Sequence, residues 1–174
     1  MKDLGMQKGF TVIELVIVIV VIGILATIGI LSYGSAQKKA YDASVQSDLE
    51  SISGELEAYR ARVDTANPSQ QFPRTKVNLE SLEIQATKNA YDTTISYNMI
   101  YCITNTGADP YQGYKLIARS KSGSIYLMTQ DGFQTNTFTA SDLTSTLCST
   151  LGMGLVSNGM YAPNTWQDWV HTGQ

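Results

Sequence analysis

Residues 6–34, MQKGFTVIELVIVIVVIGILATIGILSYG, hold one acidic side chain in an otherwise apolar run. Glu14 stands five residues beyond Gly9, and Phe10 to Leu31 contains only Thr11 and Thr27 as other polar residues. As a helix this run rises about 33 Å, slightly more than the ~30 Å hydrocarbon core of a bilayer. Val and Ile dominate it, which in water favours a strand. A strand of such length lies far outside the usual range, however, and lipid forces backbone polar groups to pair within the segment. Length therefore decides for a membrane-spanning helix.

Glu14 separates the readings of that helix. A cleaved secretory signal needs a shorter apolar region ending in a small-x-small site. Here the run is too long, and no Ala-x-Ala follows it. A lipoprotein signal needs a cysteine just after the run, where none stands. A plain signal anchor explains the length but not the carboxylate, since a charge at a span's centre costs about 2.5–3.5 kcal/mol, less near an end. A partner follows if the chain is cut between Gly9 and Phe10. Phe10 then gains a positive α-amine four residues from Glu14. In an apolar layer each charge is costly alone and tolerable when paired. Glu14 reaches that amine either in its own helix or in a neighbouring copy.

The stretch KGFTVIELVIVIVVIGILA, residues 8–26, resembles the class III signal of type IV prepilins and pseudopilins. The resemblance rests on a short leader with Lys2 and Lys8, Gly9 before the cut, aromatic Phe10 after it, and Glu14 as the fifth mature residue. It implies that a prepilin peptidase removes residues 1–9 and that Phe10 is N-methylated. It also implies that Glu14 pairs with the Phe10 amine of an adjacent subunit in a filament. One departure stands out: many members carry a proline where this chain has Leu31, while Gly23 matches their upstream glycine. No proline occurs before Pro68.

Beyond the apolar run the composition changes. About 140 of the 174 residues remain, one domain by size, rich in Ser, Thr, Asn, Gln, Gly and Tyr. The net charge of −3 and the scattered Lys and Arg, apart from Lys38-Lys39, speak against direct nucleic-acid binding. Cys102 and Cys148 are the two cysteines, most simply one disulfide in an exported domain, closing a loop worth about 4 kcal/mol. Their spacing fits no metal signature. Such a bridge places residues 35–174 outside and Met1 in the cytoplasm, a choice the lysines do not make, since Lys2 and Lys8 are matched by Lys38 and Lys39.

Val45, Leu49, Ile52, Leu56, Tyr59 and Val63 follow 4-3-4-3-4 spacing, one apolar stripe with Ser47, Asp48, Glu50, Ser51, Ser53, Glu55 and Glu57 between them. The helix is expected to run through residues 10–34 as the membrane and filament-core part, and through 35–65 as an amphipathic continuation packed on its own sheet. Asn67-Pro68 and Phe72-Pro73 close it. Residues 66–174 form the head. Leu79, Leu82 and Ile84 make a short helical or extended patch. ISYNMIYCI then alternates, placing Ile95, Tyr97, Met99, Tyr101 and Ile103 on one face and Cys102 on the other. YKLIAR (114–119) and SIYLMTQ (124–130) flank Ser120 to Gly123 as a hairpin, giving three or four antiparallel strands. Thr139 with Asp142 three later is a capping-box pattern, opening a short helix that presents Cys148 to the strand of Cys102. Trp166 and Trp169 are expected to pack on the sheet, and His171, the only histidine, to be solvated. The fold class is α+β, with the long helix, small antiparallel sheet and single disulfide that resemblance to type IV pilins implies.

Catalytic patterns are missing. No Gly-x-Ser-x-Gly, glycine-rich phosphate loop or His-Glu-x-x-His occurs. Asp131-Gly132 and NTGADP (105–110) offer oxygen ligands without EF-hand spacing, so no cofactor or metal is expected. The expectation is a structural subunit of a type IV pilus, a homo-oligomeric helical filament on the cell surface. Its partners would be the prepilin peptidase, an assembly platform with its ATPase, the membrane before assembly, and minor pilins. The alternatives are a pseudopilin of a type II secretion or competence DNA-uptake system, and a signal-anchored extracytoplasmic enzyme or binding protein.

Overall fold

The computed structural model describes residues 9–63, 71–104 and 113–172. The leader lysines Lys2 and Lys8, the Asn67-Pro68 helix stop and the 105–110 loop lie outside these residues. By its internal contacts the chain forms two compact units, Met1–Gln37 and Lys38–Gln174. Helix α1 runs Val12–Val63, 52 residues, acidic in its first turn at Glu14 and basic in its last at Arg60 and Arg62, the polarity that suits a helix dipole. In the first unit every side chain from Phe10 to Ile28 is exposed. This one helix is long and apolar enough to cross a membrane by length and composition.

In the second unit the stripe along α1 becomes core. Val45, Leu49, Ile52 and Leu56 are buried, each worth about 1.5–3 kcal/mol of apolar burial, while Tyr59 packs at the margin and Val63 is half-buried. Helix α2, Lys76–Glu80, is capped by Thr75, whose side chain accepts from the Asn78 amide. The patch Leu79, Leu82 and Ile84 is buried throughout: helical at Leu79, then leading into β1, Gln85–Ala86. The main sheet comprises β2 (Met99–Ile103), β3 (Tyr114–Arg119), β4 (Ile125–Thr129), β5 (Gly132–Gln134) and, after the short helix α3 (Leu147–Thr150), β6 (Gly154–Asn158). Its order is β5-β4-β3-β2-β6, antiparallel throughout. β7 (Met160–Ala162) pairs with β8 (Thr165–Trp166), and β9 (His171–Thr172) runs parallel to β1. The sequence expectation of three or four strands falls short because β5 has only three residues and β6 mixes exposed and buried positions.

Both faces of the sheet are covered, so all five residues of β2 are buried. Met99, Tyr101, Ile103, Leu116, Ala118 and Met128 face the α1 stripe with Trp169. Ile100, Cys102, Ile117 and Leu127 face the opposite way, under Leu143, Leu147, Cys148 and Met153. One expectation is corrected here. Ile95 and Tyr97 do not continue the Met99–Tyr101–Ile103 face; they pack with the second cluster. The strand starts only at Met99, because turns and bends occupy residues 93–98, the first of them closed by Asp92, which accepts from the Thr94 amide and hydroxyl. A second correction concerns Thr139 and Asp142. They do form a reciprocal capping box, but it opens a single 3₁₀ turn, Ala140–Asp142, and Cys148 sits on the separate helix α3.

Polar bonds tie α1 to the head within the second unit. Asp48 accepts from the Thr87 amide at 2.7 Å and its hydroxyl at 3.1 Å. Ser53 and the Tyr114 hydroxyl lie 2.6 Å apart, and Asp42 accepts from Ser122 and Ser124 in the β3–β4 turn. Burial raises the Asp48 carboxyl above its ordinary value although Thr87 opposes the shift. Burial, and then the nearby Asp48 charge, push the Tyr91 phenol well above its ordinary value, so it stays neutral. The β3–β4 turn closes through Gly123 at φ +101°, where a side chain would be strained. Trp169 is fully buried with its indole N–H donating to Asn158, Trp166 meets Tyr91 edge-on, and His171 is exposed.

Candidate functional site

At the entrance to α1, Gly9, Phe10 and Thr11 have no regular secondary structure, and the chain becomes helical at Val12. Phe10 is 92% exposed. A Cβ built on Gly9 meets nothing within 4 Å, so the fold itself makes no demand for glycine there. Three residues into the helix, Glu14 turns back on Thr11. Its Oε2 accepts from the Thr11 amide at 2.8 Å and from the Thr11 hydroxyl at 2.7 Å, while the Glu14 amide donates to the same hydroxyl at 3.4 Å. This is a capping box, in which two otherwise orphaned helix-end donors are satisfied reciprocally. Phe10, Leu15 and Val18 line a shallow hollow around Glu14 of about 260 Å³.

The structure thus brings Glu14 to Thr11, a residue the sequence reading passed over. The signal was present: Thr11-Val-Ile-Glu14 is the same Thr-x-x-acid pattern recognised at Thr139–Asp142, masked here by the surrounding apolar run. Further along, Thr27 donates its hydroxyl to the Gly23 carbonyl at 2.9 Å, so neither threonine of the apolar run leaves its hydroxyl idle.

Cys102 and Cys148 are joined in a disulfide with a Cα–Cα distance of 5.4 Å, inside the range such bridges use. Both are fully buried. Cys102 lies in β2 and Cys148 is the second residue of α3, so the bridge straps residues 138–153 onto the sheet's second face.

Among the described residues the head has hollows on its surface. One of about 570 Å³ is lined by Thr104, Lys115, Gln130, Asp131 and Gln134 among others, and one of about 420 Å³ by Lys88, Asn89, Asn164 and Trp166. Neither assembles a nucleophile with a base and an orienting third group. Among the described residues no group of three or more His, Cys, Asp or Glu side chains could hold a metal ion.

Comparison with known proteins agrees with this geometry. The prokaryotic N-terminal methylation motif matches residues 4–30. The chain is 28% identical to the type II secretion system core protein G of Escherichia coli over 129 residues, 74% of this chain and 83% of that protein. It is 32% identical to the core protein G of Klebsiella pneumoniae over 76 residues, 44% of this chain and half of that one. It is 47% identical to the type IV major alpha-pilin of Moraxella bovis over 60 residues, about a third of each chain. No solved structure matches significantly. The chain therefore carries the methylation motif of prepilin-type proteins and has both secretion pseudopilins and pilins as homologues, neither of them an enzyme family.

Proposed function

We propose that this chain, a carrier of the prepilin-type motif with pilin and pseudopilin relatives, is a structural filament subunit of a type IV pilus. The observation that carries the reading is the contrast between its two units. Residues 10–28 are apolar and exposed on every side around one carboxylate, while the head's core residues all lie at Val45 or beyond. Exposed apolar surface of that extent needs a bilayer or other helices to cover it.

In this reading a prepilin peptidase cuts after Gly9 and Phe10 is N-methylated. The mature chain waits as a single-pass membrane protein with a cytoplasmic N-terminus. An ATPase-driven platform then extracts it into a filament outside the cell, where residues 10–34 of neighbouring copies cover one another and minor pilins complete the structure. Glu14 pairs with the Phe10 amine of an adjacent copy and fixes axial register, a use of buried charge for specificity. The exposure of the Gly9–Phe10 bond, and the lack of any structural need for glycine at position 9, support a role for Gly9 in recognition by the peptidase.

A second reading is favoured by the extent of the similarities. The match to the E. coli secretion protein G spans 74% of this chain, against 34% for the alpha-pilin, which supports a short secretion pseudopilus. Intact mass and N-terminal sequencing of protein from its host's envelope test the reading common to both. The expected mature chain begins at methylated Phe10; a stable product still beginning at Met1 overturns both and leaves a signal-anchored protein. Imaging then separates the two: long surface fibres made of this chain support the pilus, and fibres seen only on overexpression support the pseudopilus.

A further inference from the structure

The pair β7 and β8 closes in a tight turn. Ala162 is the partner of Thr165, so Pro163 and Asn164 alone connect the strands. Asn164 takes the left-handed conformation at φ +63°, a position after proline that suits asparagine or glycine. Its backbone amide donates to the Thr93 carbonyl at 3.2 Å, which fixes the turn against the segment ahead of β2. The 3₁₀ turn Lys88–Ala90 is pinned to α1 through Thr87, whose amide and hydroxyl both donate to Asp48. Both turns line the hollow of about 420 Å³. Trp166 lines it too, half-buried, with Tyr91 edge-on to its ring at 5.5 Å and Lys88 Nζ 5.6 Å from the ring centroid.

The chemistry of this lining is selective. Lys88 is the only charged side chain among the described residues that line the hollow. Asn89, Thr93 and Asn164 stand around it, and their side chains form no hydrogen bond among the described residues, so their donors and acceptors are open to a ligand. One aromatic ring among amides and hydroxyls does not suit a largely apolar ligand, which needs a mainly hydrophobic lining. One ammonium is too few to hold a phosphate backbone. A pyranose fits both features: its C–H face lies on an aromatic ring, and its hydroxyls exchange hydrogen bonds with side-chain amides. An acidic group on that sugar answers Lys88. The lysine's contact with a half-buried indole is weak, and a carboxylate offers it a charge-assisted hydrogen bond instead.

We propose that this hollow binds an acidic saccharide, with the pyranose on Trp166, its hydroxyls on Asn89 and Asn164, and its carboxylate on Lys88. Lys88 leaves the indole for the carboxylate, and the sugar takes its place on the ring. On the filament reading many copies would display the hollow in one array, where weak binding per copy adds up to a firm hold. The site itself does not depend on that reading.

The test uses the full chain, solubilised in a detergent without a sugar headgroup and titrated with glucuronate while tryptophan fluorescence is followed. Trp169 is fully buried and supplies a constant background. Glucuronate should give a saturable change with half-saturation at about 1 mM, what small-molecule ligand efficiency gives for a monosaccharide. Glucose should bind about tenfold more weakly, and acetate should produce no saturable change. Lys88→Met should erase the preference for glucuronate over glucose. Asn164→Gly, which keeps the left-handed turn, should weaken both sugars about threefold. An unchanged urea midpoint confirms that each variant is folded. No saturable change with either sugar, an equal response to acetate, or folded variants that both bind glucuronate like wild type overturns the proposal. None of these outcomes touches the filament reading, which the intact mass of the envelope protein tests separately.

Discussion

Replacing both Cys102 and Cys148 with alanine asks how far the sheet's second face depends on its strap. The two cysteines are 46 positions apart, and closing a loop of that length restricts the unfolded chain by about 4 kcal/mol on the chain-entropy account. Set against a typical domain stability of 5–15 kcal/mol, that is a large fraction. The loss should also be uneven. Leu143, Leu147 and Met153 cover Ile100, Ile117 and Leu127 from a segment whose regular structure is one 3₁₀ turn and the four-residue helix α3. The α1 stripe belongs to the other core, where it meets Met99, Tyr101 and Leu116 across the sheet. Urea unfolding of the detergent-solubilised chain should show a loss near 4 kcal/mol, and hydrogen exchange should lose protection first at residues 143–153 and last at 45–56. A drop below about 1 kcal/mol, or protection lost evenly across both cores, would refute the reasoning.

Three further outcomes are expected of the same preparation. Leu49→Ala truncates a fully buried side chain at the middle of the α1 stripe and should cost about 2–5 kcal/mol of unfolding free energy by urea titration. Gly159→Ala places a methyl 2.8 Å from Asn98 Oδ1 and 2.9 Å from Met99 Cβ, on a buried turn with little room to give, and should cost about 1–3 kcal/mol by the same measurement. Asp48→Asn tests the electrostatics. Burial raises the folded-state pKa above the unfolded 3.8, so the carboxyl contributes stability below that value and loses it as pH rises through the folded pKa. The variant, uncharged throughout and still able to accept from Thr87, should therefore gain on wild type between about pH 3 and about pH 7, and a difference that shrinks over that range would contradict the assignment.

The sequence showed most of what repeats and little of what turns. The α1 stripe was legible because Val45, Leu49, Ile52 and Leu56 keep helical spacing over many turns, and the β3–β4 hairpin because Gly123 sits between two apolar runs. The cysteine pairing was legible by count. Ile95 and Tyr97 misled because alternation in ISYNMIYCI continues backwards into the turns and bends over residues 93–98, which leave no periodic trace. β5 and β6 escaped for another reason. Burial on β6 runs half-buried, exposed, half-buried, buried, half-buried, so neither a strand's alternation nor a continuous apolar run marks it. At the site, Glu14 was legible as an anomaly in a greasy run, whereas Thr11 was not. Its role depends on where the helix begins, and the apolar run continues through Thr11 to Glu14 without marking that boundary.

Thr11 also bears on why the fold tolerates a carboxylate in this place at all. A glutamate at the third helical position of a capped helix satisfies the helix's own donors, so a capping role alone could account for Glu14 in a chain that never assembles. Two features argue that capping leaves room for more. Both Thr11 donors converge on Oε2, and a carboxylate offers about four lone-pair sites across two oxygens. Cutting after Gly9, as proposed, would leave the Phe10–Thr11 peptide bond untouched, so the cap would survive and a new positive amine would appear one residue before it. The carboxylate would already be aimed by Thr11 when that charge arrives, which reduces the ordering entropy that pairing otherwise costs. On the proposed reading Thr11 and Glu14 would form one device, the threonine holding the acid in position and the acid meeting the freshly made terminus of a neighbouring chain.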